Sequence, residues 1–184
     1  MKSPDPAIAI VYFTGHGHTR RLAEAVAEGA APARMIDVES MSDADWAALD
    51  AADAVVFGTP TYMGSSAAVF DGFLEEAASR WEDQLWADKI AGGFTVGTYP
   101  AGDKLSTLIR LAVYAAQMGM IWVGPTEIGP PVNPDNPGLN GDGSNLGVTA
   151  TSSRDKDQLI DAGDLETARR FGVRIRAACK RWTR

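Results

Sequence analysis

Apolar residues recur along this chain in short continuous runs separated by stretches of helical spacing. Residues 8–13 are six apolar positions in a row, β-branched and aromatic, which predicts a strand buried on both faces of a sheet. Residues 20–30 then place Leu22, Ala23, Val26, Ala27 and Ala30 on one face of a helix. Residues 34–38 predict a second short strand. Residues 42–51 predict a weak helix with Ser42 as its cap and Trp46 and Leu49 facing inward, and residues 54–58 a third buried strand. A loop is expected over 59–66, then a helix with Phe70, Phe73, Leu74, Ala77, Ala78 and Trp81 on its apolar stripe. Residues 89–98 predict the fourth strand. The next helix buries Leu105, Leu108, Ile109, Ala112 and Ala116 and stops at Gly119, and residues 120–123 start a fifth strand.

Strands alternating with helices predict an α/β protein with a parallel sheet and right-handed crossovers. Five strands fit the doubly wound order 2-1-3-4-5, a three-layer α/β/α sandwich in which the loops after strands 1, 3 and 4 meet at the switch point. Residues 129–147 interrupt the alternation: nine of the nineteen are Gly or Pro and four are Asn, so an irregular insertion is expected there. Residues 148–150 resume the sheet edge before a last helix near 164–182. No repeat is present, and 184 residues with 45% hydrophobic content suit one domain, 1–184.

Composition narrows the class. The longest apolar run is far short of the roughly 20 residues that span a bilayer. Residues 1–6 are polar and carry two prolines, no signal peptide is evident, and the sole cysteine, Cys179, can make no internal disulfide. A cytoplasmic protein is expected. A net charge of −7 disfavours a nucleic-acid partner. Residues 165–184 depart from that balance, with seven Lys or Arg against Glu166, a pattern read as a solvated helix face in preference to a docking patch.

The candidate chemistry sits after the first strand, in Thr14-Gly15-His16-Gly17-His18-Thr19. Gly15 and Gly17 allow positive φ and close backbone approach, and the helix that follows presents free amides and the positive end of its dipole to an anion. No Gly-Lys-[Ser/Thr] occurs, which argues against a Walker A loop, and the G-x-G-x-x-G pattern fails at Arg20 although Asp37 or Glu39 stands where a ribose-binding acid would. A tight turn without a ligand remains open. The favoured reading is a mononucleotide phosphate held by backbone and the Thr14 and Thr19 hydroxyls, with His18 capping or touching it. The loops 60–64 and 97–102 can then hold a flat ring, with backbone groups on its polar edge and Tyr62, Met63 and Tyr99 beside it; flavin mononucleotide matches that demand. His16 faces the ring edge, a substrate or solvent. An i, i+2 histidine pair without cysteine is a weak metal signal, no metal is expected, and Ser65 and Ser66 lack a hydrolase setting.

These residues resemble the flavodoxin-like FMN proteins, and within them the NAD(P)H:quinone oxidoreductases typified by the tryptophan-repressor-binding-protein group. The carriers are residues 12–19, Phe57-Gly58-Thr59-Pro60-Thr61-Tyr62-Met63-Gly64, residues 88–98, residues 143–147 and residues 164–168. The resemblance implies that Thr14, Gly15, His16, Gly17, His18 and Thr19 hold the FMN phosphate. It implies that Pro60, Thr61, Tyr62, Met63 and Gly64 contact the ring from one side and Thr95, Gly97, Thr98 and Tyr99 from the other, with Trp81 over the substrate site; His16 is a second substrate candidate on its place in the first loop alone. It implies an FMN-dependent oxidoreductase that moves electrons from NAD(P)H to a quinone-like acceptor with no essential acid or base residue, and a homo-oligomer, dimer or tetramer. A flavodoxin-type electron carrier without its own substrate is the alternative, and a regulatory protein that has lost the flavin is a third. The chain departs from the family pattern at Gln117-Met118, where a histidine is usual, at Tyr99-Pro100 and across 129–147.

Overall fold

A computed structural model describes residues 5–153 and 157–182; the first four residues of the polar leader and Arg184 of the basic tail lie outside them. The elements run β1 (Ile8–Tyr12), α1 (His18–Ala30), β2 (Ala33–Asp37), α2 (Asp43–Ala51), β3 (Ala54–Tyr62), β4 (Ser65–Ser66), α3 (Ala68–Ala77), β5 (Ile90–Gly97), α4 (Lys104–Gln117), β6 (Ile121–Trp122), β7 (Val148–Thr151) and α5 (Ala162–Trp182). The main strands pair in parallel in the order β2-β1-β3-β5-β6. β4 is the return leg of a hairpin on β3, so it adds no position to the sheet.

The outer position is shared. β6 pairs with the first residues of β5, Ile90 opposite Ile121 and Ala91 opposite Trp122, whereas β7 pairs with its last, from Phe94 opposite Val148 to Gly97 opposite Thr151. The insertion thus divides one strand place in two, and the expected order 2-1-3-4-5 holds with β6 and β7 together as the fifth strand.

Successive residues of each buried strand face opposite layers, as the two-residue period of a strand requires. Ile8, Ile10, Tyr12, Ala54 and Val56 pack with α1 and α5; Ala9, Val11, Phe13, Val55 and Phe57 pack with α2, α3 and α4. α1 and α5 cross closely because Gly29 and Gly172 lie at the crossing, where any side chain would overlap the backbone of the other helix. At the start of α2, the Ser42 amide and hydroxyl both donate to the Asp45 carboxylate, at 2.9 and 2.7 Å. Leu49 is buried, and the half-buried Trp46 stacks on Phe73 at 5.4 Å.

Three expectations need correction. Residues 59–62 are strand, not loop: β3 runs on to Tyr62, turns at Met63-Gly64 and returns. α3 ends at Ala77, so Ala78 and Trp81 face outward, and Trp86, fully buried with its indole N–H donating to Asp50 at 2.8 Å, fills that end of the core instead. α4 buries Thr107, Leu108, Leu111, Tyr114 and Ala115, leaving Leu105, Ile109 and Ala116 exposed and Ala112 only partly covered. That helix is apolar on two sides, and spacing alone cannot choose between them.

Candidate functional site

The cleft lies at the carboxyl ends of β1, β3 and β5, where the strand order reverses direction. Its walls are Thr14, Gly15, His16, His18 and Thr19 from the first loop, Pro60, Thr61 and Tyr62 from the end of β3, Val96, Gly97 and Thr98 from the end of β5, and Ser152 after β7.

The first loop gathers backbone amides and hydroxyls at the start of α1. Gly17 occupies the position before α1 with φ 90°, in the left-handed region that favours glycine. It offers no side chain to cap the helix, and the first turn holds no acid. The Thr14 hydroxyl oxygen accepts from the Gly17 amide at 3.0 Å and the Arg20 amide at 3.3 Å, which folds the loop back over the helix start. The amides of His18 and Thr19, first in α1, have no helical carbonyl to bond, and the buried Thr19 turns into the cleft. Partial positive charge collects there without an opposing carboxylate, the electrostatic setting a phosphate requires. Burial, and then the neighbouring His16, hold the His18 imidazole below its usual range, so it is neutral at pH 7.

The second and third walls are tied together by side-chain hydrogen bonds. Thr61 Oγ1 lies 2.8 Å from Thr95 Oγ1 and 2.9 Å from Thr107 Oγ1, which ties β3 to β5 and α4 beneath the cleft. Thr59 Oγ1 accepts from the Ala67 amide at 3.1 Å, fixing the return of the hairpin. Tyr62, partly exposed, lays its hydroxyl against Gly15, so the first and second loops touch. Ser106 donates to the Gly64 carbonyl at 2.5 Å and joins the hairpin tip to α4.

Ten of the sequence-predicted residues line this cleft, and Gly17 shapes it through its backbone. Five do not line it. Met63 and Gly64 form the hairpin tip, both at positive φ, with the Met63 side chain fully in solvent. Thr95 is buried under the floor, and Tyr99 stands exposed beyond the rim. Trp81 is not brought to the cleft within this chain: it follows α3 on the connection that leads to the start of β5, beside Leu74, Arg110 and Tyr114. Sequence reasoning missed Val96 and Ser152. Val96 looked like core, and Ser152 arrives only because β7 pairs with the end of β5, its amide donating to the Gly97 carbonyl at 2.9 Å.

Elsewhere, the basic residues of α5 are largely engaged within the molecule. Arg169 and Arg170 pair with Glu166, Arg170 with Glu127, Arg174 donates to the Gly124 carbonyl, and Arg176 and Lys180 reach Asp5. Among the described residues no group of three or more His, Cys, Asp or Glu is placed to hold a metal ion, and no helix is long and apolar enough to cross a membrane.

Known proteins are similar to this chain in sequence and fold. The family model described as a flavodoxin domain matches residues 9–110. Flavodoxin FldP of Pseudomonas aeruginosa is 38% identical over 174 residues, 90% of this chain and 92% of that protein. An NAD(P)H dehydrogenase (quinone) of Syntrophus aciditrophicus is 29% identical over 143 residues, 64% of this chain and 70% of that one. The crystal structure of a flavodoxin, WrbA-like protein from Agrobacterium tumefaciens superposes with TM-score 0.78 at 38% identity, covering 96% of this chain and 98% of that one. A cleft at the switch point, a parallel sheet of this order and matches along nearly the whole chain agree: the chain belongs to the flavodoxin-like family.

Proposed function

We propose that this chain is an FMN-dependent oxidoreductase that takes electrons from NAD(P)H and passes them to a quinone-like acceptor. The observation that carries the cofactor is the acid-free start of α1 beneath Thr14, Gly17 and Thr19, which suits the phosphate of FMN. When bound, the flavin supplies the redox chemistry, accepting a hydride equivalent and returning two electrons. The chain's own residues bind and orient. The Gly15 to Thr19 backbone and the Thr14 and Thr19 hydroxyls hold the phosphate. Pro60, Thr61 and Tyr62 face one side of the ring, and Gly97 and Thr98 the other. His16 lies exposed at the rim, toward an incoming substrate.

The quinone acceptor and the nicotinamide donor are supported by the NAD(P)H dehydrogenase (quinone) names of relatives at 27–30% identity. The reading includes a cytoplasmic homo-oligomer. Leu105, Ile109 and Val113, one turn apart on α4 and each about half exposed, suit contact with a second copy.

A second reading, an FMN electron carrier without a substrate of its own, is favoured by the 38% identity to flavodoxin FldP. Steady-state oxidation of NADH and NADPH with benzoquinone separates the two: turnover supports the enzyme, and FMN binding without turnover supports the carrier. Gly17→Val tests the cradle beneath both. It should abolish saturable FMN binding, and parent-like binding would remove the phosphate from this loop.

A further inference from the structure

Lys104 is the one charged residue buried among the described residues, 2% exposed, at the first position of α4. Its stem backs Gly97, where an added Cβ would stand 3.0 Å from Lys104 Cγ. Its ammonium has three protons and three partners: the Asp142 carboxylate, the Ala150 carbonyl at 3.2 Å and the Thr151 hydroxyl at 3.1 Å. Thr149 donates to the same Asp142 oxygen at 2.9 Å. Ion pairs this buried contribute little net stability compared with apolar residues of the same shape, because desolvation offsets the attraction. What this pair joins is therefore more informative than its strength.

It joins the insertion to the cleft. Asp142 belongs to residues 129–147, which are also tied to α5, through the Asn140 amide and Thr167 at 2.8 Å, to β6, through the Trp122 indole and the Leu146 carbonyl at 2.7 Å, and to the Glu127 and Ile128 carbonyls, through Asn140 and Asn136, both at 3.0 Å. Ala150 and Thr151 lead directly into Ser152, and Thr151 is the register partner of Gly97. Gly97 and Ser152 line the cleft and bond to each other; neither Lys104 nor Asp142 lines it.

We propose that Lys104 is a positioning residue: with Asp142 it latches the 129–147 insertion to the ring-side wall, holding Gly97 and Ser152 where the flavin ring is gripped. This rests on the flavin reading above. The latch acts on the wall that faces the ring and leaves the phosphate loop untouched, so its loss weakens riboflavin and FMN by the same factor.

The test uses the full chain freed of flavin. Lys104→Met with Asp142→Asn removes both charges while keeping the stem against Gly97. The double variant should keep the parent's thermal midpoint within a few degrees and lose about tenfold in affinity for both FMN and riboflavin, with their ratio unchanged. Parent-like affinities, or a loss confined to FMN, would overturn the latch. Hydrogen exchange at the Ser152 amide in Asp142→Asn, without any flavin, reads the same contact independently: faster exchange than in the parent is expected, and an unchanged rate sinks the proposal. If the parent itself binds no FMN, the flavin reading fails while the exchange measurement still decides the latch.

Discussion

Phe94 lies directly opposite Gly58 across the β3–β5 pair, and its ring fills the space a side chain at Gly58 would need. Both residues are central, Phe94 fully buried. Gly58 immediately precedes Thr59 and Pro60, so this pairing sets the seat from which the second wall of the cleft departs. Gly58→Ala forces the ring aside in a closed core. It should cost about 1–3 kcal/mol of stability, read as a lowered denaturant midpoint at unchanged slope.

Asp50 organises the end of the core that spacing assigned to Trp81. Its carboxylate accepts from the buried Trp86 indole at 2.8 Å and from Arg80 at 2.7 Å, while Lys89 bonds the Asp50 and Ala52 carbonyls. Burial pushes Asp50 up, but the Arg80 and Trp86 hydrogen bonds outweigh it and leave the carboxyl below its usual range. A depressed native value stabilises the fold above the unfolded value near pH 4, and that contribution is lost as pH falls below it. Asp50→Ala should cost about 1–3 kcal/mol at pH 7, from the donors left without an acceptor, and flatten the acid limb of the stability curve.

Asp164 behaves in the opposite sense. It accepts from the Thr151 amide at 3.1 Å, and burial drives its carboxyl up to about 6. The folded state then binds the proton more tightly than the unfolded chain, so ionising Asp164 opposes folding, and stability should rise as pH falls from about 7 toward 4.5. The contribution is at most about 3 kcal/mol. Asp164→Asn should remove this segment of the pH dependence, measured by urea unfolding at several pH values. A curve with the parent's slope would show that Asp164 is ionised normally.

His18 links pH to cofactor binding. Burial keeps its imidazole below the usual range in the free protein, and a phosphate dianion beside it would raise it again. Binding then takes up a proton, so FMN affinity should tighten by a few-fold between about pH 7.5 and 6, and His18→Gln should lose the part of that dependence the phosphate's own titration does not account for. Fluorescence titration of FMN quenching across that range checks it.

The exposed stripe on α4 gives a prediction for assembly. Ile109→Glu and Val113→Glu place charge on side chains about half exposed outside the buried core, so the monomer should keep its thermal midpoint while sedimentation shifts to a smaller species. Unchanged sedimentation would mean that this face is not between copies.

The local pattern of the chain by itself determined the order of strands and helices, the parallel sheet and the glycine-bearing turn at Thr14–Thr19 that opens α1. Each of these depends on neighbours in sequence: a run of β-branched residues, a glycine where φ must be positive, a helix start with no acid. The second wall was legible as Thr59-Pro60-Thr61, but not as continuing strand, because Pro60, which has no amide to donate, reads as a strand breaker, although it pairs opposite Val96 of β5. Only the tertiary structure decided which side of α4 is core, that Trp86 and not Trp81 is inside, and that Ser152 reaches the cleft. It also brought Asp142, 38 residues away, onto Lys104. Those outcomes are set by which surfaces meet when the layers close, and an apolar or charged residue carries no mark of its partner until that contact exists.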